Sequence, residues 1–259
     1  MTRALGLRLA LLGLMLLALA GCDRKVQPAP PPVSAAPPAP APTPPPAPWP
    51  GVTPDQATET DTPRLMARNY YVVFDGSGSM REPACGSGKA SKIDAAKRAL
   101  AAFAASVPAD ANLGLLVFDH QGVHEVLALG PAQPGRFALL VQSVQAAGGT
   151  PLRQSIQAAY HALTQQGRRQ LGYGEYHLVV ITDGEANEGQ DPGEAVATLL
   201  RDSPVVLHTI GFCIGDRHSL NQPGRTLYLA ADNPEALSRG LGDVLAEAPA
   251  FNAAGFDTK

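Results

Sequence analysis

Three short stretches of this sequence place oxygen donors among glycines. They are Asp75-Gly76-Ser77-Gly78-Ser79-Met80, Gly148-Gly149-Thr150-Pro151-Leu152 and Thr182-Asp183-Gly184-Glu185. Asp75, Ser77, Ser79, Thr150 and Asp183 together offer two carboxylates and three hydroxyls. Hard divalent cations take oxygen ligands, and Mg2+ wants about six of them while usually keeping some waters. So few carboxylates would leave a position for a ligand from outside. Each stretch also has a plain structural use. Glycine and serine make turns, a threonine caps helices, and Asp-Gly is a frequent turn pair. Only the elements that position them can decide between the two uses.

Those elements alternate. Tyr70-Tyr71-Val72-Val73-Phe74 reads as a buried strand. Ile93, Ala96, Leu100, Phe103 and Val107 recur at helical spacing behind Ser91, a suitable N-cap. Leu113 to Phe118 and Val123 to Leu129 flank the turn Asp119-His120-Gln121-Gly122 and read as a hairpin. Arg136 to Gln145 is a short helix. Thr150-Pro151 opens the next helix, with the threonine as cap and proline at the first helical position. Strands at His177–Ile181, Val205–Phe212 and Thr226–Leu229 alternate with helices from Asp191-Pro192 to Leu200 and from Asn233-Pro234 to Leu245. Apolar strands separated by helices imply an α/β fold. Its doubly wound, mostly parallel sheet has one antiparallel edge strand and helices on both faces. Ligands bind such sheets outside the carboxyl ends of the strands, where all three stretches fall.

Asp-x-Ser-x-Ser after a first apolar strand, a threonine before a middle helix, and an aspartate after the fourth strand resemble the von Willebrand factor type A (VWA) family. The resemblance covers about Pro63 to Ala246. It implies a complete metal-ion-dependent adhesion site. Ser77 and Ser79 would coordinate the cation through their hydroxyls, Thr150 directly or through water, and Asp75 and Asp183 largely through water. Mg2+, Mn2+ or Ca2+ would serve. The family commonly binds rather than catalyses, and a carboxylate from a protein partner completes the coordination. Two polar segments, Arg81 to Ser91 and Ile214 to Arg225, lengthen loops that should lie beside the site and shape the choice of partner.

The amino terminus reads as an address. Arg3 and Arg8 precede an apolar run from Leu9 to Ala20, 12 residues long and too short to span a bilayer. Leu19-Ala20-Gly21-Cys22 fits the bacterial lipobox. That resemblance implies cleavage of 1–21 and a lipid on Cys22, whose several acyl chains anchor stably. Asp23 resembles the signal that retains enteric lipoproteins at the inner membrane. Thirteen of the 25 prolines lie between Pro28 and Pro50, so residues 22–62 form a semi-rigid spacer ahead of a VWA domain at 63–248 and a tail at 249–259. The expected place is the periplasmic side of the cell envelope, held by the N-terminal lipid.

With Cys22 assigned to lipid, Cys85 and Cys213 remain, an even pair in an oxidising compartment and both at the carboxyl end of the sheet. A disulfide is one reading; two free thiols are the other. His120 and His124 flank the hairpin turn without a third convergent ligand for zinc, and His177 and His208 read as satisfied structural residues. A net charge of −3 gives no concentrated basic surface, which excludes nucleic acid as a partner. The Gly-x-Ser-x-Gly elbow fails at Asp75 and Cys85, and Pro83 breaks a phosphate-loop pattern. Metal-assisted hydrolysis would need a base, for which Glu185 is the one obvious candidate. The expectation is a non-enzymatic, cation-dependent binder of an acidic residue on a protein partner. A metal-stabilised scaffold that binds through its loop insertions is the first alternative, and a hydrolase the second.

Overall fold

The computed structural model describes residues 48–51, 64–86 and 90–246. The expected signal peptide, Cys22, most of the proline-rich spacer and the tail at 249–259 lie outside these residues. No helix among the described residues is long and apolar enough to cross a membrane.

The elements run β1 (Arg68–Asp75), α1 (Lys92–Ser106), β2 (Asn112–Asp119), β3 (Gly122–Pro131), α2 (Pro134–Ser143), α3 (Leu152–Arg169), β4 (Glu175–Thr182), α4 (Gly193–Asp202), β5 (Val206–Phe212), β6 (Leu227–Ala231) and α5 (Pro234–Ala246). The sheet order is β3-β2-β1-β4-β5-β6. Every pairing is parallel except the β2–β3 hairpin, which puts an antiparallel strand at one edge. This is the doubly wound sheet expected from the sequence.

Successive side chains of β1 go to opposite faces. Tyr70, Val72 and Phe74 join Leu100 and Phe103 of α1, Phe137 of α2 and Leu241 of α5 on one side. Tyr71 and Val73 join Leu152, Ile156 and Leu163 of α3 and Leu199 of α4 on the other. A strand covered on both faces needs an unbroken apolar run, which β1 supplies. Ser91 caps α1, its hydroxyl accepting from the Asp94 amide at 3.2 Å.

The chain turns left from β1 to β2 and right, through α3, to β4. The switch therefore lies between β1 and β4, where open sheets of this kind bind ligands. Phe74 stands beside Ile181 in the register, so Asp75 and Thr182 leave the sheet side by side.

At the opposite pole, residues 48–51 pack on the domain, within the stretch expected as spacer. The Trp49 ring meets Tyr176 edge-on at 4.7 Å, and its indole N–H donates to Thr164 Oγ1 at 3.2 Å. Arg168 Nε donates to the Pro50 carbonyl at 3.3 Å. Gly167 makes the slot: a Cβ there would fall 2.3 Å from the Trp49 ring.

Candidate metal centre

The site begins with Asp75, the last residue of β1, which is fully buried. Its Oδ1 accepts from the Ser77 amide at 2.7 Å. Its Oδ2 accepts from Thr182 Oγ1 at 2.6 Å and from the Asp183 amide at 3.3 Å. Burial pushes the Asp75 carboxyl up to about 6, against the hydrogen bonds from Ser77 and Thr182 that favour the charged form. Thr182, which heads the third stretch in the sequence but was not among the five residues singled out there, is the last residue of β4 and holds Asp75 in place.

The loop after β1 then enters a single 3-10 turn, Gly78–Arg81, seated on the buried Met80. This turn brings the Ser77 and Ser79 hydroxyls to 3.0 Å from one another. Ser79 Oγ donates to Asp183 Oδ1 at 2.7 Å, and Ser77 Oγ stands 3.5 Å from the same atom.

The loop ahead of α3 is held against the loop after β1 by backbone bonds. The Ala147 amide donates to the Gly76 carbonyl at 2.7 Å, and the Gly78 amide donates to the Gly148 carbonyl at 3.0 Å. Gly148 has φ +93°, and a Cβ there would come within 2.7 Å of the Asp119 carbonyl oxygen. Gly148→Ala is therefore expected to cost about 2 kcal/mol from strained backbone, read as a lower urea midpoint with unchanged slope. No change in midpoint would show that the loop shifts freely.

Thr150 departs from expectation. Helix α3 starts at Leu152 with Pro151 in the capping position, and no side chain caps it. The threonine is buried without serving as the cap. A Cβ built on Gly184 would stand 3.9 Å from Thr150 Oγ1 and 4.0 Å from Ser79 Oγ, so the glycine leaves open the space both hydroxyls border. All five residues singled out in the sequence thus meet at one end of the sheet.

Lys92 was not foreseen. This nearly buried lysine opens α1 and reaches Asp183 Oδ2 at 2.9 Å and Glu82 Oε2 at 2.8 Å. Burial opposes its charge, but the two carboxylates outweigh burial and hold its pKa above the ordinary lysine value. One sequence signal could have exposed it. A cation in the first turn of a helix sits at the unfavourable end of the macrodipole, so it needs a local anion.

The two insertions close the surroundings. Cys85 and Cys213 are disulfide-bonded with a Cα separation of 5.7 Å, which joins the loop after β1 to the end of β5. His218 Nε2 donates to the Gly184 carbonyl at 2.9 Å while its Nδ1 accepts from the Leu220 amide at 3.0 Å, which fixes the tautomer. Glu185 accepts from the Ser219 amide at 3.2 Å. The one candidate base for a hydrolase is thus engaged by the 214–225 segment.

The donor set fits a hard divalent cation. Neighbouring oxygens in an octahedron with bonds of about 2.1 Å stand about 3 Å apart, and the two serine hydroxyls have that spacing. Among the described residues no group of three His, Cys, Asp or Glu is arranged to hold a metal. Any cation here would rest on hydroxyls as much as on carboxylates.

A family model for the von Willebrand factor type A domain matches residues 70–185. The chain is 29% identical over 161 residues to YwmD, an uncharacterized protein of Bacillus subtilis, covering 56% of this chain and 67% of that one. An aerotolerance-related membrane protein of Bacteroides fragilis superposes with a TM-score of 0.54 at 16% identity, covering 69% of this chain and 98% of that one. Proximal thread matrix protein 1 of the mussel byssus, solved with a zinc-occupied MIDAS motif, superposes with a TM-score of 0.55 at 18% identity, covering 72% and 48%.

Proposed function

We propose that this chain, whose domain has the von Willebrand factor type A fold, binds a protein partner through a divalent cation held at the β1–β4 switch. Ser77, Ser79 and Thr150 would hold the cation through their hydroxyls, with Asp75 and Asp183 acting through water. Mg2+ is the first choice, with Mn2+ and Ca2+ as substitutes. A cation held mainly by neutral hydroxyls keeps its attraction for a carboxylate, so the partner presents an acidic residue. The observation that carries this reading is the convergence of Ser77, Ser79 and Asp183 within hydrogen-bonding distance, beside a threonine that does not cap its helix. The mussel protein's zinc-occupied motif supports the cation, and the membrane-protein neighbour supports an envelope setting. Lipid on Cys22 would hold the domain on the periplasmic side, at the inner membrane.

The test is a pull-down from envelope extract with the full chain, in Mg2+ or EDTA, comparing wild type with Asp75→Ala. A partner retained only by wild type in Mg2+ is the expected result. A partner retained under every condition would favour the scaffold reading, which the disulfide-joined insertions support. A finer expectation concerns Thr150. Thr150→Ala should weaken partner binding at least about tenfold, the equivalent of one charge-assisted contact, while Thr150→Ser stays near wild type. Equal losses in both variants would point to packing rather than to the hydroxyl.

A further inference from the structure

We propose that Lys92 is a resident cation that limits how tightly this site holds its metal and so preserves the metal's attraction for a partner's carboxylate. The proposal rests on reading the site as a divalent-cation site. It makes Lys92 a positioning residue that acts through Asp183.

The two buried aspartates are satisfied differently. Asp75 takes a hydroxyl and two amides, and among the described residues no cation stands against it. Asp183 takes a serine hydroxyl on Oδ1 and the Lys92 ammonium on Oδ2. The ammonium therefore fixes the rotation of the Asp183 carboxylate. Only Oδ1 faces the serine hydroxyls, and Oδ2 is committed away from them.

Two consequences follow from elementary electrostatics. First, the ammonium balances one of the site's two buried carboxylates without metal, so the fold leans less on a bound cation. Second, any divalent cation placed beside Ser77 and Ser79 shares Asp183 with an ammonium. That lowers its affinity, and it leaves the cation short of negative charge. An external carboxylate can supply what the protein withholds. Glu82 does not alter this balance much, because its side chain is 64% exposed and screened. A lysine wanted only as a salt bridge would be poorly placed at a helix N-terminus; here its position puts positive charge beside the serine loop.

The experiment titrates the full chain with Mn2+, following free aqueous Mn2+ by electron paramagnetic resonance, and records thermal unfolding in EDTA and in Mn2+. The variants are Lys92→Met, Lys92→Gln and Lys92→Arg. Removing a unit charge a few ångströms from a divalent cation is worth roughly tenfold or more in affinity. Lys92→Met and Lys92→Gln should bind Mn2+ at least about tenfold tighter than wild type, unfold at lower temperature in EDTA, and recover in Mn2+. Lys92→Arg, which keeps the charge, should bind like wild type. If Lys92→Met fails to fold, Lys92→Gln decides, since it keeps a donor for Asp183 and drops only the charge. Wild-type affinity in both neutral variants would overturn the proposal and leave Lys92 a structural residue. Absence of Mn2+ binding to wild type itself would instead overturn the reading of the site.

Discussion

Reducing the bond between Cys85 and Cys213 is expected to destabilise the domain by about 4 to 5 kcal/mol, the size given by chain entropy for a closed loop of more than a hundred residues. The bridged positions are 128 residues apart, so the bond removes many unfolded conformations. The folded side is prepared for it. The Cys213 amide donates to the Ala231 carbonyl at 2.9 Å, and the Cys85 amide faces Cys213 Sγ at 3.1 Å. Urea unfolding with and without reductant, beside a Cys85→Ser/Cys213→Ser variant, measures the effect. A reduced protein as stable as the oxidised one would mean that the loop's other contacts already restrict the chain. Alkylation without reductant, followed by mass measurement, should modify neither cysteine.

Acid should weaken the fold by about 3 kcal/mol through the buried histidine pair. His177 Nδ1 and His208 Nε2 are 3.1 Å apart on adjacent strands, and Tyr70 stacks on His177 at 5.0 Å. Burial, then the proximity of His177, brings the His208 pKa down to about 4. Burial also lowers that of His177, opposed by Glu175, whose carboxylate lies 3.6 Å from Nε2. The unfolded chain therefore binds protons more readily than the folded one. The contribution is fully present above pH 6.5 and is lost as pH falls toward 4. Asp75 acts in the opposite sense, since burial lifts its pKa to about 6 and protonation below that relieves a buried charge. The wild-type curve alone is thus shallow. A His177→Leu/His208→Leu variant isolates the histidines: its stability relative to wild type should rise by about 3 kcal/mol between pH 7 and pH 4.5. Parallel curves would show that the pair is not the source of acid sensitivity.

Much of this architecture is legible in the sequence. β1 and β2 are apolar runs ended by an aspartate, and β4 is one followed by Asp183, because a strand covered on both faces cannot carry exposed polar positions. Ser91 announces α1 because its hydroxyl is the cap. That Asp75 and Asp183 emerge side by side is legible because strand-to-loop transitions fix where they leave the sheet. What escapes is anything set by distance through space. Thr150-Pro151 has the composition of a helix start, yet proline takes the capping position and the threonine side chain turns elsewhere. Lys92 lies 91 residues from Asp183, and no local pattern reveals their pairing. His177 was expected to be satisfied, but among the described residues its Nε2 has no hydrogen-bond partner, since the Glu175 carboxylate stops at 3.6 Å. The packing of Trp49 was masked by prolines that read as spacer.

That tryptophan seam also sets how force would travel through the molecule. A pull on the chain before Pro48 meets the indole wedged against Gly167 and Tyr176 before it can reach β1. The tension is diverted into the foot of α3, a helix that runs the length of the domain toward Thr150. β1 is gripped by parallel neighbours on both sides, so it would have to shear rather than peel. A partner held at the carboxyl end of the sheet and a tether entering at the amino end would load the domain along its strands, the direction in which a parallel sheet resists most.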